Sequence, residues 1–361
     1  MFNKELEVTL QKASVGQLKP KPDQNKLGFG QFFTDHMFKM RWSRQQGWYD
    51  ACIQPYQSFE LDPAAMVFHY GQAIFEGMKA YRGKDDQIFL FRPEDNFTRM
   101  NQSAVRMCMP RFPQERVLQA LRAMVYLDQE WVPNTQGATM YIRPTMIATE
   151  PALGLRPAEE YLFYIICCPV GAYYAEGFSP TKIYVEDKYV RAVPGGVGNA
   201  KTAGNYAASV KAQVEAHEKG YTQVLWLDAV ERKYVEEVGT SNIFFVIKDE
   251  LITPPLEGSI LPGITRDSVL QLARDWGYKV RERRITIDEV FAAGEAGILQ
   301  ESFGTGTAAV IAPVGEFCYR DKHVKVNGGE IGTLSKRLFE GLQAIQFGYG
   351  EDNHKWRVRV G

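Results

Sequence analysis

The stretch AVPGGVGNAKTAGN, Ala192 to Asn205, sets a single lysine, Lys201, in a run of glycines. Upstream, Thr181 to Val185 (TKIYV) is short and β-prone, while downstream Tyr206, Val210, Val214 and His217 recur at helical spacing towards Gly220. The reading is therefore strand, loop, helix, with Lys201 at an element edge. Glycine at 195, 196, 198 and 204 lets a ligand approach backbone that a Cβ would screen. A lysine so placed and partly desolvated forms Schiff bases. The stretch by itself fits a flexible loop with a solvated lysine equally well. It is not a Walker loop, because no G-x-x-x-x-G-K-[ST] occurs and position 200 is Ala.

Composition narrows the classes. The 361 residues are 45% hydrophobic and 24% charged, with mean hydropathy −0.29, which predicts an ordinary soluble protein of two domains. No run approaches the roughly 18 uncharged apolar residues of a membrane helix, and the opening MFNKELEVTLQK lacks the apolar centre of a secretory signal. A net charge of −1 gives no support for a nucleic-acid or anionic-membrane partner, which leaves small ligands. Cys52, Cys108, Cys167, Cys168 and Cys318 show neither disulfide-framework nor metal-ligand spacing, and the five histidines form no H-x-x-x-H pair. A reducing, cytoplasmic setting and no metal are expected.

Along the chain, residues 1 to about 28 read as an irregular arm. Strand-like pieces follow at Phe32 to Trp42 and Trp48 to Ile53, then a hairpin of Met78 to Arg82 with Ile88 to Phe91. Pro93 suits a first helical turn, with Phe97, Met100, Ala104 and Met107 as the apolar face, and a second helix runs from Gln114 to Gln129. Arg99 near the first helix's start suits a phosphate or plain solvent. In TMYIRPT, Thr139 to Thr145, the period of two sets Tyr141 and Arg143 on one face, a pair suited either to a carboxylate or to a strand's outer surface. The expected division is a smaller domain over 1–170, a linker over 171–180 and a larger domain over 181–361 carrying the lysine. A helix is expected to start after Leu261-Pro-Gly-Ile-Thr-Arg-Asp267, with N-terminal amides that suit a phosphate. Thr286 with Glu289 predicts a capping box. Phe303 to Ala308, FGTGTA, reads as a second Gly/Thr turn.

A Schiff-base lysine, two phosphate-suited turns, an acid beside a Gly-Thr turn and a Tyr/Arg pair together describe a pyridoxal 5'-phosphate (PLP) site. The segments HYGQAIFEGMKAYRG, LFRPEDNFTRM, MYIRPT, PVGAYY, PGGVGNAKTAGNY, VEEVGTSNIFF, LPGITRDS and FGTGTA, in this order, resemble the branched-chain amino acid aminotransferases of PLP fold type IV. The resemblance runs from Phe32 to the C-terminus and implies a two-domain α/β fold with mixed sheets. It makes Lys201 the Schiff-base lysine, Tyr206 the donor to the cofactor's phenolic oxygen and Glu237 the partner of its pyridine nitrogen. Arg99, Ile264, Thr265 and Thr307 match phosphate-binding positions. Tyr70, Phe75, Tyr141, Arg143, Tyr173, Thr240 and Ala308 match positions lining the substrate pocket. Mammalian relatives carry a C-x-x-C pair where this chain has Ala309 and Ala312, so thiol switching there is not expected. The implied function is transamination between leucine, isoleucine or valine and 2-oxoglutarate by a cytoplasmic homodimer with an active site borrowing Tyr70 from the partner. D-amino acid transaminase and aminodeoxychorismate lyase are the alternatives within the fold, and a non-catalytic nucleotide-binding module is the alternative outside it.

Overall fold

The computed structural model describes residues 6–171 and 178–361. They divide into two compact units, one of residues 6–171, 200–203 and 344–361, the other of residues 178–199 and 204–343. The division expected from the sequence kept 181–361 together. Instead the quartet around Lys201 and the C-terminal segment belong to the first unit: Thr202 bridges Ile74, and the C-terminal strand Arg357–Val360 pairs with the strand Ile88–Phe91. Most of the expected linker, and Tyr173 with it, lies outside the described residues.

The first unit holds β1 (Val8–Leu10), β2 (His36–Ser43), β3 (Gly47–Pro55), β4 (Ala73–Phe75), β5 (Met78–Arg82), β6 (Ile88–Phe91), β7 (Thr139–Ala148) and β8 (Glu160–Val170). Their order is β1-β3-β2-β8-β7-β5-β6 followed by the C-terminal strand, with β4 on β7. The arm is thus not wholly irregular, since Val8 to Leu10 pair in parallel with Ala51 to Ile53. Three helices accompany this sheet: α1 (Met66–Tyr70), α2 (Pro93–Arg106) and α3 (Gln114–Leu127). Pro93 occupies the first turn of α2, where its missing N–H costs nothing. Phe97, Met100 and Ala104 bury completely against a core that includes Phe38, Phe163 and Leu121. Each large side chain so buried contributes about 1.5–3 kcal/mol.

The second unit holds β9 (Thr181–Glu186), β10 (Gln223–Leu227), β11 (Val235–Val238), β12 (Ser241–Ile247), β13 (Glu250–Thr253), β14 (Lys279–Glu282), β15 (Leu299–Gly306), β16 (Val310–Tyr319) and β17 (Lys322–Lys325). Pairing runs β11-β10-β9-β16-β15-β12 and returns from β12 to β11, closing a ring of strands. Its helices are α4 (Ala203–Glu218), α5 (Ile264–Asp275) and α6 (Ile287–Glu295), and α7 (Thr333–Gln346) leads to the C-terminal segment. Three local readings change. In α4 the buried stripe is Asn205, Ser209, Ala212 and Ala216, whereas Val210 and Val214 are exposed. In FGTGTA, Phe303 to Gly306 continue β15, so the turn starts only at Thr307. At α6 the Thr286 Oγ1 accepts the Glu289 N–H at 3.0 Å, but the Glu289 carboxylate turns to Arg283 instead of completing the box.

Candidate active site

Lys201 is fixed through its backbone. Its N–H donates to Ser103 Oγ on α2 at 2.9 Å, its carbonyl accepts the Phe75 N–H at 3.0 Å, and Thr202 Oγ1 donates to the Ala73 carbonyl at 2.8 Å. The half-buried ammonium lies 5.0 Å from the centre of the Phe75 ring. On β7, Tyr141 and Arg143 do share a face: Arg143 Nη2 donates to the Tyr141 hydroxyl at 3.0 Å, and the guanidinium stands 4.6 Å from the Phe75 ring centre. Gly77 is required beside them, because a Cβ there would fall 2.0 Å from the Tyr141 hydroxyl oxygen. The first unit therefore gathers a lysine, an arginine, a phenol and an apolar ring.

Between β4 and β5 lies a residue the sequence reading passed over, Glu76. Its fully buried carboxylate takes Arg99 Nε at 2.7 Å and Nη2 at 2.8 Å, and Asn96 Nδ2 at 2.9 Å. Burial alone would raise its pKa, but the Arg99 charge and hydrogen bonds, the Lys201 charge and Asn96 hold it below the usual carboxylate range. Arg99, expected at a phosphate, thus makes a two-pronged ion pair. Lys79, directly across from Tyr141, is another buried cation missed in the sequence, and burial pushes its pKa down to about 8.

In the second unit Glu237 is buried on β11, with Arg191 Nη1 2.7 Å from Oε2 and Asn242 Nδ2 donating to Oε1 at 3.0 Å. Glu236 serves a different partner, accepting the Ser259 hydroxyl, and burial raises its pKa despite that bond and Arg191. Across the ladder, Glu237 opposes Asn242 and Asn242 opposes Thr305, which places the three on one face. Thr305 Oγ1 is buried without a protein hydrogen-bond partner. Gly263 precedes α5 and supplies no capping side chain, and a Cβ there would fall 2.0 Å from Asn242 Oδ1. Ile264 and Thr265 begin that helix, where amides point outward and the dipole favours an anion. Thr307 and Ala308 lie in the half-buried turn after β15, Tyr206 is half-buried in the first turns of α4, and Thr240 is exposed between β11 and β12.

These groups fit PLP. A buried carboxylate suits a protonated ring nitrogen, an unpartnered hydroxyl and a Cβ-free cradle accommodate a polar ligand, and an uncapped helix start suits a phosphate. Tyr70 is an exposed residue of α1 and donates its hydroxyl to the Leu153 carbonyl. Among the described residues no group of three His, Cys, Asp or Glu is placed to hold a metal, and no helix is long and apolar enough to cross a membrane.

Fold and site together define an aminotransferase of class IV, and the family model of that description matches residues 73–317. The branched-chain-amino-acid aminotransferase 2 of Bacillus subtilis (strain 168) is 55% identical over 342 residues, 95% of this chain and 94% of that one. Among solved structures, the Escherichia coli branched-chain amino acid aminotransferase superposes with TM-score 0.74 at 26% identity, covering 89% of this chain and 99% of its own. The branched-chain amino acid aminotransferase from Thermobaculum terrenum in its PLP form gives 0.73 at 25%, covering 91% and 98%. The chain belongs to the branched-chain-amino-acid aminotransferases of class IV.

Proposed function

We propose that the chain moves amino groups between L-leucine, L-isoleucine or L-valine and 2-oxoglutarate, with PLP as cofactor on Lys201. The observation that carries this reading is the grouping of Lys201, Phe75, Tyr141 and Arg143: an amine beside an apolar wall that ends in one hydrogen-bonded guanidinium. Bound PLP supplies the electron sink that lets the substrate Cα–H bond break. Lys201 Nζ holds the proton taken from Cα and returns it, a general-base role suited to an amine anchored by its backbone. Glu237, with Arg191 and Asn242 behind it, faces the ring nitrogen, and the Tyr206 hydroxyl serves the phenolic oxygen. Ile264, Thr265 and Thr307 would hold the phosphate, and Arg99, here paired with Glu76, would join them.

Phe75 and Tyr141, with Tyr173, Thr240 and a partner's Tyr70, give a branched side chain its apolar surroundings, and the Thr307 and Ala308 amides take the α-carboxylate. The γ-carboxylate of glutamate needs a charged partner to offset desolvation, which is the work of Arg143. The protein acts as a cytoplasmic homodimer. Purified enzyme should be yellow, and borohydride reduction with peptide mapping should label Lys201; a label on Lys211 instead would refute the site. In a donor and acceptor panel, L-leucine, L-isoleucine and L-valine with 2-oxoglutarate should lead. Preference for D-alanine, or pyruvate release from aminodeoxychorismate, would transfer the chain to a sister activity.

A further inference from the structure

One guanidinium in the second unit reaches three separated segments of chain. Arg191, on the link between β9 and the glycine-rich stretch, is almost wholly buried, as is Glu237. Its Nη1 sits 2.7 Å from Glu237 Oε2 and donates to the Ser259 carbonyl at 3.0 Å, and Nη1 and Nη2 each lie 3.5 Å from the Gly198 carbonyl oxygen. The glycine at 198 is obligatory for this arrangement, since a Cβ would fall 2.0 Å from the Ser259 carbonyl oxygen. Ser259 is held from its other end by Glu236, which accepts its hydroxyl hydrogen. Asn242 completes the set: Nδ2 donates both to Glu237 Oε1 at 3.0 Å and to the Leu261 carbonyl at 2.9 Å, just ahead of α5.

We propose that Arg191 is a positioning residue for the cofactor. It ties the loop leading to Lys201, the carboxylate of Glu237 and the lead-in to α5 to a single charge, so the second unit's cofactor-binding groups stand in place before the cofactor arrives. This rests on the PLP reading above. Asn242 is neutral, whereas Arg191 brings an opposite charge to the buried Glu237 carboxylate, which would be costly to keep ionised without one. The fork geometry matters as much as the charge. Three acceptors on three segments match the directed N–H groups of a guanidinium, whereas an ammonium at the same place is a point charge on a shorter reach. With the cofactor bound, Arg191 would share the Glu237 carboxylate with the ring nitrogen and so set how strongly Glu237 holds the proton there.

The test compares wild type, Arg191→Lys, Arg191→Met and Ser259→Ala, each stripped of cofactor and titrated with PLP. The readouts are the dissociation constant, the visible absorption maximum of the bound cofactor, and the melting temperature of the stripped protein. Arg191→Met should lose roughly tenfold or more in PLP affinity and shift the absorption maximum. Its stripped form should also melt below stripped wild type, because Glu237 is left buried without this cation, so the spectral shift is what separates positioning of the cofactor from a loss of stability alone. Arg191→Lys should recover only part of the affinity, and Ser259→Ala, which keeps the carbonyl, should lose much less. Wild-type affinity and spectrum in both Arg191 variants would overturn the proposal, as would an affinity loss accompanied by an equally large fall in stripped-protein stability and no spectral change. Should Arg191→Met not fold, Arg191→Lys decides on the same two readouts. A wild type that binds no PLP would instead overturn the functional reading.

Discussion

Glu76 shows how a buried charge beside the site is held by its partners. It is completely buried, and its carboxylate is matched by the Arg99 fork and Asn96. Removing one partner of such a pair strands the other charge, so Glu76→Gln should cost about 3–5 kcal/mol at pH 7 in denaturant titrations. The sign of its pH dependence follows from a folded-state pKa below the ordinary 4.5. The pair's contribution is complete above that value and is lost as pH falls through the lower folded value, so the variant should show a flatter acid limb than wild type. Arg143 makes a different prediction. Arg143→Ala should slow the glutamate half-reaction far more than the leucine half-reaction in single-turnover absorbance measurements, because only glutamate brings a second carboxylate. Equal losses in both would remove Arg143 from the γ-carboxylate. The Tyr141 and Arg143 pair was legible because a strand repeats every second residue. Glu76 was not, because an acid inside the apolar run AIFEGM carries no sign of which distant cation will meet it.

Among the elements, α4 was announced by its spacing, which did not say which face is buried. Valine spacing pointed to Val210 and Val214, yet the buried positions are Asn205, Ser209, Ala212 and Ala216. Ala212 and Ala216 pack on Trp226 and Val224, together with Tyr184, Tyr189 and Tyr221, where the sheet supplies the bulk and the helix must be small to come close. A periodic pattern says which residues share a face, and the partner surface decides which face goes inward. Caps are more local. Thr286 keeps its bond to the Glu289 N–H although the reciprocal bond is absent, so Thr286→Ala should lower stability by about 1 kcal/mol. Thr286→Asp should retain most of it; urea midpoints of the two variants check this, and equal loss in both would deny the cap its role.

At the scale of the whole molecule, one exposed patch calls for a covering surface. Phe68 is 60% exposed, Leu153 64% and Leu155 83%, and Tyr70 joins them through its bond to the Leu153 carbonyl. Large apolar side chains gathered in this way mark an interaction surface. Sedimentation should therefore find twice the chain mass, and Phe68→Asp should shift the protein towards monomer and weaken activity together. A wild type that is monomeric and fully active would exclude both the dimer and a borrowed Tyr70.

The sequence by itself determined what short stretches decide: the strand, glycine loop and helix about Lys201, Pro93 in the first turn of α2, and the shared face of Tyr141 and Arg143; it announced the existence of α5, whose start the structure moves up to Ile264. Each depends on backbone freedom, a missing N–H or a period of two or 3.6, all of which act over a few residues. The ordered set of segments added the family. Only the tertiary structure decided the charge pairings, because Glu76 and Arg99 stand 23 residues apart and Arg191 and Glu237 lie on separate segments of the second unit, and many cations lie at such separations. It also decided that the quartet about Lys201 packs with the first unit while Arg191 and Glu237 belong to the second. Burial sets those choices. A charge removed from water must meet its opposite inside the same unit, and that requirement becomes readable only when both ends of the chain segment have been placed.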